Sequence, residues 1–357
     1  MSSLHSFKLK TKKGFIGIGK DYPIRVNCNV GTNRTNSFNS EIEKVNTIFQ
    51  NKETTPDTMM DLSIVQNKTL LSKYIIDNFE VAVGTIPYYT IFDREKGISK
   101  NQLLEYIIEQ AENGIAFFTL HFTANLLLYD IAKKNRHIPI TSRGGSIILS
   151  DSIVNKKTDN VLIENIDEII EIALKYHIAI SLGATFRPAG IIDACDEVHI
   201  LETEEQLKIC QYLQERNVNV IIENIGHIDL MQLQNHFKLL QKFNAPIMPL
   251  GPLPTDNAIG YDDIASAIGA SFAAYFNCCH IINSITPNEH LTSNFTIEDV
   301  IRGIKAAKVA AHCINILKFN EYREIDNEIY ESRANTKLCL KNCSRCDDFC
   351  PLKLNTK

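Results

Sequence analysis

The stretch IDEIIEIALKYHIAISLG, residues 166–183, runs from an amphipathic helix pattern straight into a short β-rich segment that ends in glycine. The same order follows again, with helical periodicity over residues 203–216 and the β-rich segment VNVIIEN over residues 218–224. The helical parts place apolar residues three or four positions apart, whereas the β-rich runs are short and bounded by polar residues or glycine. This order predicts strands joined by helices, as in an α/β fold with a parallel sheet.

The alternation extends along most of the chain. Further β-rich runs cover residues 24–30, 58–64, 80–85, 115–121, 138–142, 245–250 and 278–285, and further helix patterns cover residues 39–50, 99–113 and 262–276. About eight repeats of strand and helix favour a closed (β/α)8 TIM-type barrel. A doubly wound open sheet is the alternative, but no GxGxxG fingerprint follows the first strand. The segment GFIGIG at residues 14–19 precedes that strand and is interpreted as a hairpin turn.

Composition and charge narrow the class of protein. The chain has 357 residues, 44% apolar and 22% charged, which is ordinary for a globular protein. A formal net charge of -5 argues against a nucleic-acid partner. The sequence has no signal-peptide pattern and no apolar run of membrane-spanning length, so we predict a cytoplasmic protein with no membrane partner. We divide the chain into an N-terminal extension (residues 1–22), a catalytic barrel (residues 23–320) and a cysteine-rich C-terminal segment (residues 321–357).

Functional side chains stand where the predicted strands end. The active site of such a barrel lies at the carboxyl ends of its strands. Those ends carry Asn29, Met60, Asp61, Thr85, His121, Ser142, Arg143 and Glu223. The run TSRGGSI adds glycines beside Arg143, and Arg187 follows another strand. Glycine lets backbone N–H groups approach an anion and arginine pairs with phosphate or carboxylate, so this edge predicts an anion-binding site.

Histidines and cysteines are candidate metal ligands. His227 and His290 have the right chemistry, but their separation fits no local zinc motif. The pattern CxxxCxxCxxxC offers two overlapping sets of three ligands, which are Cys339, Cys343 and Cys346, or Cys343, Cys346 and Cys350. Three cysteines leave one iron of a 4Fe–4S cluster open to substrate or cofactor, whereas four also fit structural zinc or an electron carrier. The spacing alone leaves these alternatives open.

Several motifs in one order identify a family resemblance. They are VNCNVG, MMDLS, GTIPYY, SRGGSI, SLGATFRPAGIIDACDE, LGPLPTDNAIGYDDIASAIGA, TPNEHL and CSRCDDFC. Together they resemble the phosphomethylpyrimidine synthase (ThiC) family from about residue 27 to residue 350. The resemblance implies a non-classical radical S-adenosylmethionine enzyme with a (β/α)8 barrel and a C-terminal 4Fe–4S cluster. Its reaction would rearrange aminoimidazole ribotide to the hydroxymethylpyrimidine phosphate of thiamine, with loss of formate and carbon monoxide.

The resemblance also assigns residues and partners. It implies substrate contacts from Asn29, Met60, Tyr89, His121, Ser142, Arg143, Gly144, Arg187 and Glu223. It further implies zinc on His227 and His290, and the cluster on Cys343, Cys346 and Cys350. The expected partners are a phosphorylated ribotide, an external electron donor and a second copy of the chain in a homodimer.

Some positions depart from the family pattern. The cysteine loop is one residue shorter, the family's DGLR reads ATFR with Ala184 in place of aspartate, and Met248 takes the place of an expected tyrosine. The connection from His290 to the cysteines is also short, and the family's usual N-terminal domain is absent from this sequence. Two alternatives therefore accompany the pyrimidine synthase: an anaerobic 5-hydroxybenzimidazole synthase, and a non-catalytic protein that binds a ribotide.

Overall fold

The computed structural model describes residues 6–34, 36–65, 70–291 and 295–334, together with Cys346 and Phe349. The strands are β1 (Ser6–Lys10), β2 (Phe15–Gly19), β3 (Arg25–Val30), β4 (Thr58–Asp61), β5 (Ala82–Thr85), β6 (Phe117–Leu120), β7 (Ala179–Leu182), β8 (Val220–Ile222), β9 (Ile225–His227), β10 (Leu250–Leu253) and β11 (Ile281–Asn283). The α-helices are α1 (Phe38–Ile48), α2 (Leu71–Asn78), α3 (Lys100–Glu112), α4 (Leu126–Asn135), α5 (Arg143–Val154), α6 (Ile166–Tyr176), α7 (Glu197–Glu215), α8 (Leu230–Leu240), α9 (Asp262–Tyr275), α10 (Ile297–Lys318) and α11 (Asn320–Ala334).

A curled parallel sheet of seven strands forms the centre of the fold, in the order β11-β3-β4-β5-β6-β7-β8. Each of these strands lies inside a predicted β-rich run, and the α/β class is confirmed. The helix patterns at residues 39–50, 99–113, 166–177, 203–216 and 262–276 are also confirmed as helices. The strands are almost wholly buried, which is why they occur in the sequence as short apolar runs rather than as alternating patterns.

One of the predicted strands was wrong, and another is present only in part. Residues 138–142 form no strand, because Pro139 has no N–H for a ladder and Ser142 instead caps helix α5 by accepting a hydrogen bond from the Gly145 N–H. In the run at residues 245–250 only Leu250 belongs to a strand, β10, which pairs with β9 in a separate two-stranded sheet.

The backbone just before β10 bridges the two edges of the central sheet. The Met248 N–H donates to the Ile222 carbonyl in β8 at 2.8 Å, and the Ile222 N–H donates to the Pro246 carbonyl at 2.9 Å. On the other side, the N–H groups of His280 and Ile281 donate to the Ile247 carbonyl at 2.8 and 3.2 Å. Residues 246–248 therefore lie between strands β8 and β11.

An antiparallel hairpin of β1 and β2 precedes the sheet. The interpretation of GFIGIG as the turn itself was wrong, since Phe15–Gly19 forms β2 and the turn closes earlier, where the Thr11 N–H donates to the Gly14 carbonyl. The Ile18 side chain of β2 is fully buried, which supplies a reason for strand rather than turn structure. Within the described residues, no helix combines the length and apolar character needed to cross a membrane.

Candidate active site

The fold brings most of the predicted site residues to one edge of the sheet. Asn29 and Met60 lie in β3 and β4, and His121 and Glu223 directly follow β6 and β8. Tyr89 ends a short 3-10 helix (Pro87–Tyr89) after β5. Ser142, Arg143 and Gly144 form the start of α5, and Arg187 lies beyond β7. Because parallel strands end at a common edge, these side chains share the carboxyl side of the sheet.

His121 is the most enclosed polar side chain of this group. Its Nδ1 lies 2.6 Å from the Tyr88 hydroxyl and its Nε2 lies 2.6 Å from the Ser142 hydroxyl. Only 2% of the residue is exposed, and this burial, with a smaller contribution from the positive Arg187, lowers the pKa of His121 to about 3. The imidazole is therefore neutral at physiological pH and positioned by two hydroxyls.

Two glycines make room for the His121 ring. A Cβ atom on Gly144 would lie 2.3 Å from the ring, and one on Gly183 would lie 2.6 Å from it. The ring thus packs between the start of α5 and the end of β7. The close approach gives a physical reason for the glycines in the SRGGSI and SLGATFR motifs.

Positive groups surround the start of helix α5. The Arg187 side chain is 9% exposed, and its Nε is buried with no hydrogen-bond partner among the described residues. The Thr141 hydroxyl donates to the Arg187 carbonyl at 3.2 Å, which ties Arg187 to the residues that precede α5. Arg143 is exposed and its guanidinium lies 5.6 Å from the Tyr89 ring centre. A helix N-terminus with two guanidinium groups forms an electropositive site.

Tyr89 lies within this charged group. Burial raises the pKa of Tyr89 to about 12, opposed by the positive charges of Arg143 and Arg187. The phenol therefore stays protonated and can donate a hydrogen bond.

Glu223 is fixed by hydroxyls of two neighbouring strands. Its Oε1 accepts hydrogen bonds from Thr119 in β6 at 2.6 Å and from Ser181 in β7 at 2.8 Å. Burial raises the pKa of Glu223, while the two hydroxyls and Arg187 lower it. Because both hydroxyls bind Oε1, Oε2 is the atom available to a ligand.

An amide cluster beneath Asn29 was not among the predicted site features. The Asn27 Nδ2 donates to the Asn29 Oδ1 at 2.8 Å and to the Asn283 Oδ1 at 2.7 Å, and Thr58 donates to the Asn27 Oδ1 at 2.8 Å. The sequence did indicate this cluster, because Asn27, Thr58 and Asn283 are polar residues within the predicted β-rich runs. Above this cluster lies a cavity of about 820 Å³ whose lining includes Asn29, Thr32, Glu41, Arg143, Ser284 and Glu289.

His227 and His290 face each other across a short gap. Their Nε2 atoms are 3.3 Å apart. The Nδ1 of His227 lies 2.8 Å from the Asp256 carboxylate, and the Nδ1 of His290 lies 3.1 Å from the Asp262 carboxylate. The two acidic residues were not among the predicted site residues.

This geometry favours a cation between the rings. A carboxylate only accepts hydrogen bonds, so each Nδ1 carries a proton and the two Nε2 atoms remain, 3.3 Å apart. Two nitrogen lone pairs this close repel unless a proton or metal lies between them. Nitrogens bound to zinc at about 2.0–2.1 Å in tetrahedral geometry are separated by about 3.3–3.4 Å, so the donor pair fits zinc. A carboxylate behind each histidine is also the usual support of a metal-bound imidazole.

A second group of possible metal ligands, Cys195, His199 and His236, has ring nitrogen atoms engaged in hydrogen bonds. Its possible ligand atoms lie within 4.8 Å of one another. However, the His199 Nδ1 accepts the Cys195 N–H at 3.2 Å, and the Nε2 atoms of His199 and His236 lie 3.4 and 3.1 Å from the Asn224 Oδ1. His199 therefore has no lone pair left for a metal, and the group is a hydrogen-bonded core network.

The predicted cluster ligands Cys343 and Cys350, like Cys339, lie outside the described residues. Cys346 is described as an exposed free cysteine.

Comparison with known proteins places the chain in a family. A curled parallel sheet with polar side chains gathered at its carboxyl edge is the architecture of an α/β enzyme. The model of the radical SAM ThiC family matches residues 5–346. This chain belongs to the radical SAM ThiC family. Membership makes it a radical S-adenosylmethionine enzyme and implies a small-molecule substrate, S-adenosylmethionine and an iron–sulfur cluster.

Curated relatives share the family over most of their length. A phosphomethylpyrimidine synthase from Thermotoga petrophila is 32% identical over 371 residues, covering 94% of this chain and 86% of the relative. One from Clostridium tetani is 35% identical over 326 residues, covering 89% of this chain and 70% of the relative. The solved Yersinia pestis dihydropteroate synthase covers 85% of this chain and 96% of its own at 10% identity with a TM-score of 0.46, too distant to bear on fold or function.

Proposed function

We propose that this chain converts aminoimidazole ribotide to 4-amino-5-hydroxymethyl-2-methylpyrimidine phosphate, the pyrimidine precursor of thiamine. Relatives named phosphomethylpyrimidine synthase support the reaction. The observation that carries the proposal is the buried Arg187 Nε, which has no partner among the described residues and belongs to the electropositive site at α5. A buried guanidinium needs an acceptor, and the phosphate of a ribotide supplies one.

The phosphate would bind at the start of α5. Arg187 offers the unpaired Nε, and Arg143 offers a second guanidinium from the exposed side. Gly144 has no side chain to cover the start of the helix, whose positive dipole end attracts an anion. Ser142 adds a hydroxyl at the same turn. These groups bind and orient the charged end of the substrate.

The ribose and the imidazole would extend across the sheet edge. Glu223 can accept a ribose hydroxyl at Oε2 while Thr119 and Ser181 hold Oε1. Asn29 and Tyr89 provide polar contacts, and the buried Met60 provides an apolar one. Several contacts from separate strands fix one orientation of the substrate and exclude water from it.

His227 and His290 would hold zinc through their facing Nε2 atoms, with Asp256 and Asp262 orienting the rings. Two protein ligands leave positions for substrate or cofactor groups, so the ion would supply Lewis acidity and orientation.

The 4Fe–4S cluster would be held by Cys343, Cys346 and Cys350 and would receive electrons from an external donor. When bound, the cluster and S-adenosylmethionine would together supply radical chemistry through a 5′-deoxyadenosyl radical. The cavity of about 820 Å³ adjoining Asn29 and Arg143 offers space for that cofactor.

The finer architecture is part of the proposal. Residues 246–248 would act as the eighth strand that closes a TIM-type barrel, since they hydrogen bond to both edge strands. The barrel would span residues 23–320, with the extension at residues 1–22 and the cluster segment at residues 321–357. The exposed apolar side chains Ile264, Ile268 and Val309 on α9 and α10 are compatible with a homodimer.

One observation favours a second candidate, a 5-hydroxybenzimidazole synthase acting on the same ribotide. Ala184 and Met248 are both fully buried, so neither adds a polar contact to the substrate. A site that lacks polar partners can redirect a rearrangement, because such sites discriminate through the hydrogen bonds they make.

Binding of the ribotide tests the proposed substrate. Isothermal titration should show that the protein binds aminoimidazole ribotide and loses at least about tenfold in affinity for the matching riboside without phosphate, because a hydrogen bond to a charged group contributes about 1.5–3 kcal/mol. The variant Arg187→Gln should lose affinity for the ribotide and change little with the riboside. Equal affinity for the ribotide and the riboside would rule out the phosphate site.

A further inference from the structure

Tyr88 lies outside the predicted site residues, yet it contacts the centre of the site. Its side chain is fully buried, and its hydroxyl lies 2.6 Å from the His121 Nδ1. On the far side of the same ring, the His121 Nε2 lies 2.6 Å from the Ser142 Oγ. The three side chains form one hydrogen-bonded series that ends at the start of α5.

The protons in this series can be arranged in two ways. Either Tyr88 donates to Nδ1 and the Nε2–H of His121 donates to Ser142, or Ser142 donates to Nε2 and Nδ1–H donates to Tyr88. In the second arrangement the hydroxyl hydrogen of the fully buried Tyr88 would lack an acceptor, since the His121 ring is the acceptor found for it among the described residues. The first arrangement instead leaves the Ser142 hydroxyl hydrogen without a protein acceptor. Ser142 keeps 3% exposure at the start of α5, where water or an anion can accept that hydrogen, whereas Tyr88 has none. A buried donor that stays unsatisfied costs about 1–3 kcal/mol, so the first arrangement is favoured.

The first arrangement determines what Ser142 can do. Its Oγ already accepts the Gly145 N–H at 3.1 Å, and it then also accepts the Nε2–H of His121. A hydroxyl oxygen has two acceptor lone pairs, so both are occupied. The hydroxyl hydrogen of Ser142 is left for a ligand at the start of α5. In the second arrangement that hydrogen would be used by His121 instead.

We propose that Tyr88 is a positioning residue that holds His121 in its Nε2–H tautomer and thereby presents Ser142 as a hydrogen-bond donor to the substrate's phosphate. The assignment rests on the proposed function only for the identity of the anion. His121 stays neutral because of its burial, so its tautomer rather than its charge sets the direction of the series.

The tautomer can be read without any activity assay. Histidine labelled with ¹⁵N, in protein with and without His121→Gln for assignment, distinguishes protonated from bare ring nitrogens by NMR. We expect His121 in wild type to carry its proton on Nε2. In Tyr88→Phe the donor to Nδ1 is lost, and we expect a mixture with the Nδ1–H form. A wild-type His121 protonated on Nδ1 would overturn the proposal.

Anion binding tests whether Ser142 donates a hydrogen bond to phosphate. With inorganic phosphate as the probe, Ser142→Ala should weaken binding at least about tenfold and Tyr88→Phe about threefold to tenfold, following the strength of a hydrogen bond to a charged group. The double variant should bind no more weakly than Ser142→Ala alone, because Tyr88 acts through Ser142. Tyr74→Phe is the matched control, since the Tyr74 hydroxyl bonds the exposed Asn46.

The outcomes separate this proposal from the function on which it rests. Additive losses in the double variant would overturn the positioning role of Tyr88. Wild-type protein that binds neither phosphate nor ribotide, while its His121 tautomer depends on Tyr88, would refute the proposed function and support the tautomer assignment. Thermal unfolding of each variant shows whether it is folded. If a Ser142 variant is not folded, the position of the His121 ring proton in folded Tyr88→Phe tests the proposal.

Discussion

The paired histidines predict a zinc site whose affinity depends on residues that never touch the ion. The substitution Asp262→Asn removes the carboxylate that holds the His290 Nδ1–H at 3.1 Å while keeping the size of the side chain. Loss of such an outer partner typically lowers metal affinity about tenfold to a hundredfold, which corresponds to about 1.4–2.7 kcal/mol. Because an amide oxygen still accepts a hydrogen bond, we expect the lower end of this range.

The neighbouring residue provides a matched control. Asp263 is also at the start of α9, but its carboxylate binds Arg302 at 2.8 Å rather than a histidine. Asp263→Asn therefore makes the same charge change at the same helix end and should leave zinc affinity within about twofold of wild type. Competition with a chromophoric chelator measures the affinity, and metal analysis gives the stoichiometry. Wild-type zinc binding in Asp262→Asn, or no zinc binding by wild type, would refute the reasoning.

Three further predictions concern the glycines, the buried histidine and the cysteines. Gly144→Ala places a Cβ 2.3 Å from the His121 ring, so it should lower the free energy of unfolding in denaturant titrations by about 1–3 kcal/mol and weaken ribotide binding. Gly14→Ala is the control, because its nearest atom would be 4.0 Å away, and it should change neither quantity. The folded-state pKa of His121 is about 3 against 6.5 when unfolded, so the unfolded state binds the extra proton and stability falls as the pH drops below 6.5. In His121→Gln the free energy of unfolding should fall less steeply between pH 6.5 and 3. A slope equal to that of wild type would contradict this. Anaerobic reconstitution should give cluster absorbance that serine substitution abolishes at Cys343, Cys346 and Cys350 but not at Cys339, and the reverse result for Cys339 and Cys350 would reassign the ligands.

The sheet could be predicted from sequence because its strands are buried on both faces. Continuous apolar runs such as residues 178–183 are typical of buried parallel strands when helices flank them. The run at residues 138–142 looked similar, but its structure is decided by a single cap, in which Ser142 bonds the Gly145 N–H. Local composition could not distinguish a helix cap from a strand end.

Position at a strand end predicted only part of the site, and the rest of the predicted residues came from the family resemblance. His121 and Glu223 could be placed that way. The carboxylates Asp256 and Asp262 reach the histidines from loops far away in sequence, so no spacing rule linked them. Tyr88 was overlooked because a tyrosine in an apolar run is typical of a core residue, and its role depends on one hydroxyl contact.

The central claim is the reaction, and the product of one anaerobic incubation tests it most directly. Reconstituted protein is mixed with reductant, S-adenosylmethionine and aminoimidazole ribotide, and the products are identified by mass spectrometry, with Glu223→Gln as the control for turnover at this site. We expect 5′-deoxyadenosine together with 4-amino-5-hydroxymethyl-2-methylpyrimidine phosphate from wild type, and a large loss of the pyrimidine from Glu223→Gln. A 5-hydroxybenzimidazole product, or cofactor cleavage with the ribotide unchanged, would contradict the proposed reaction.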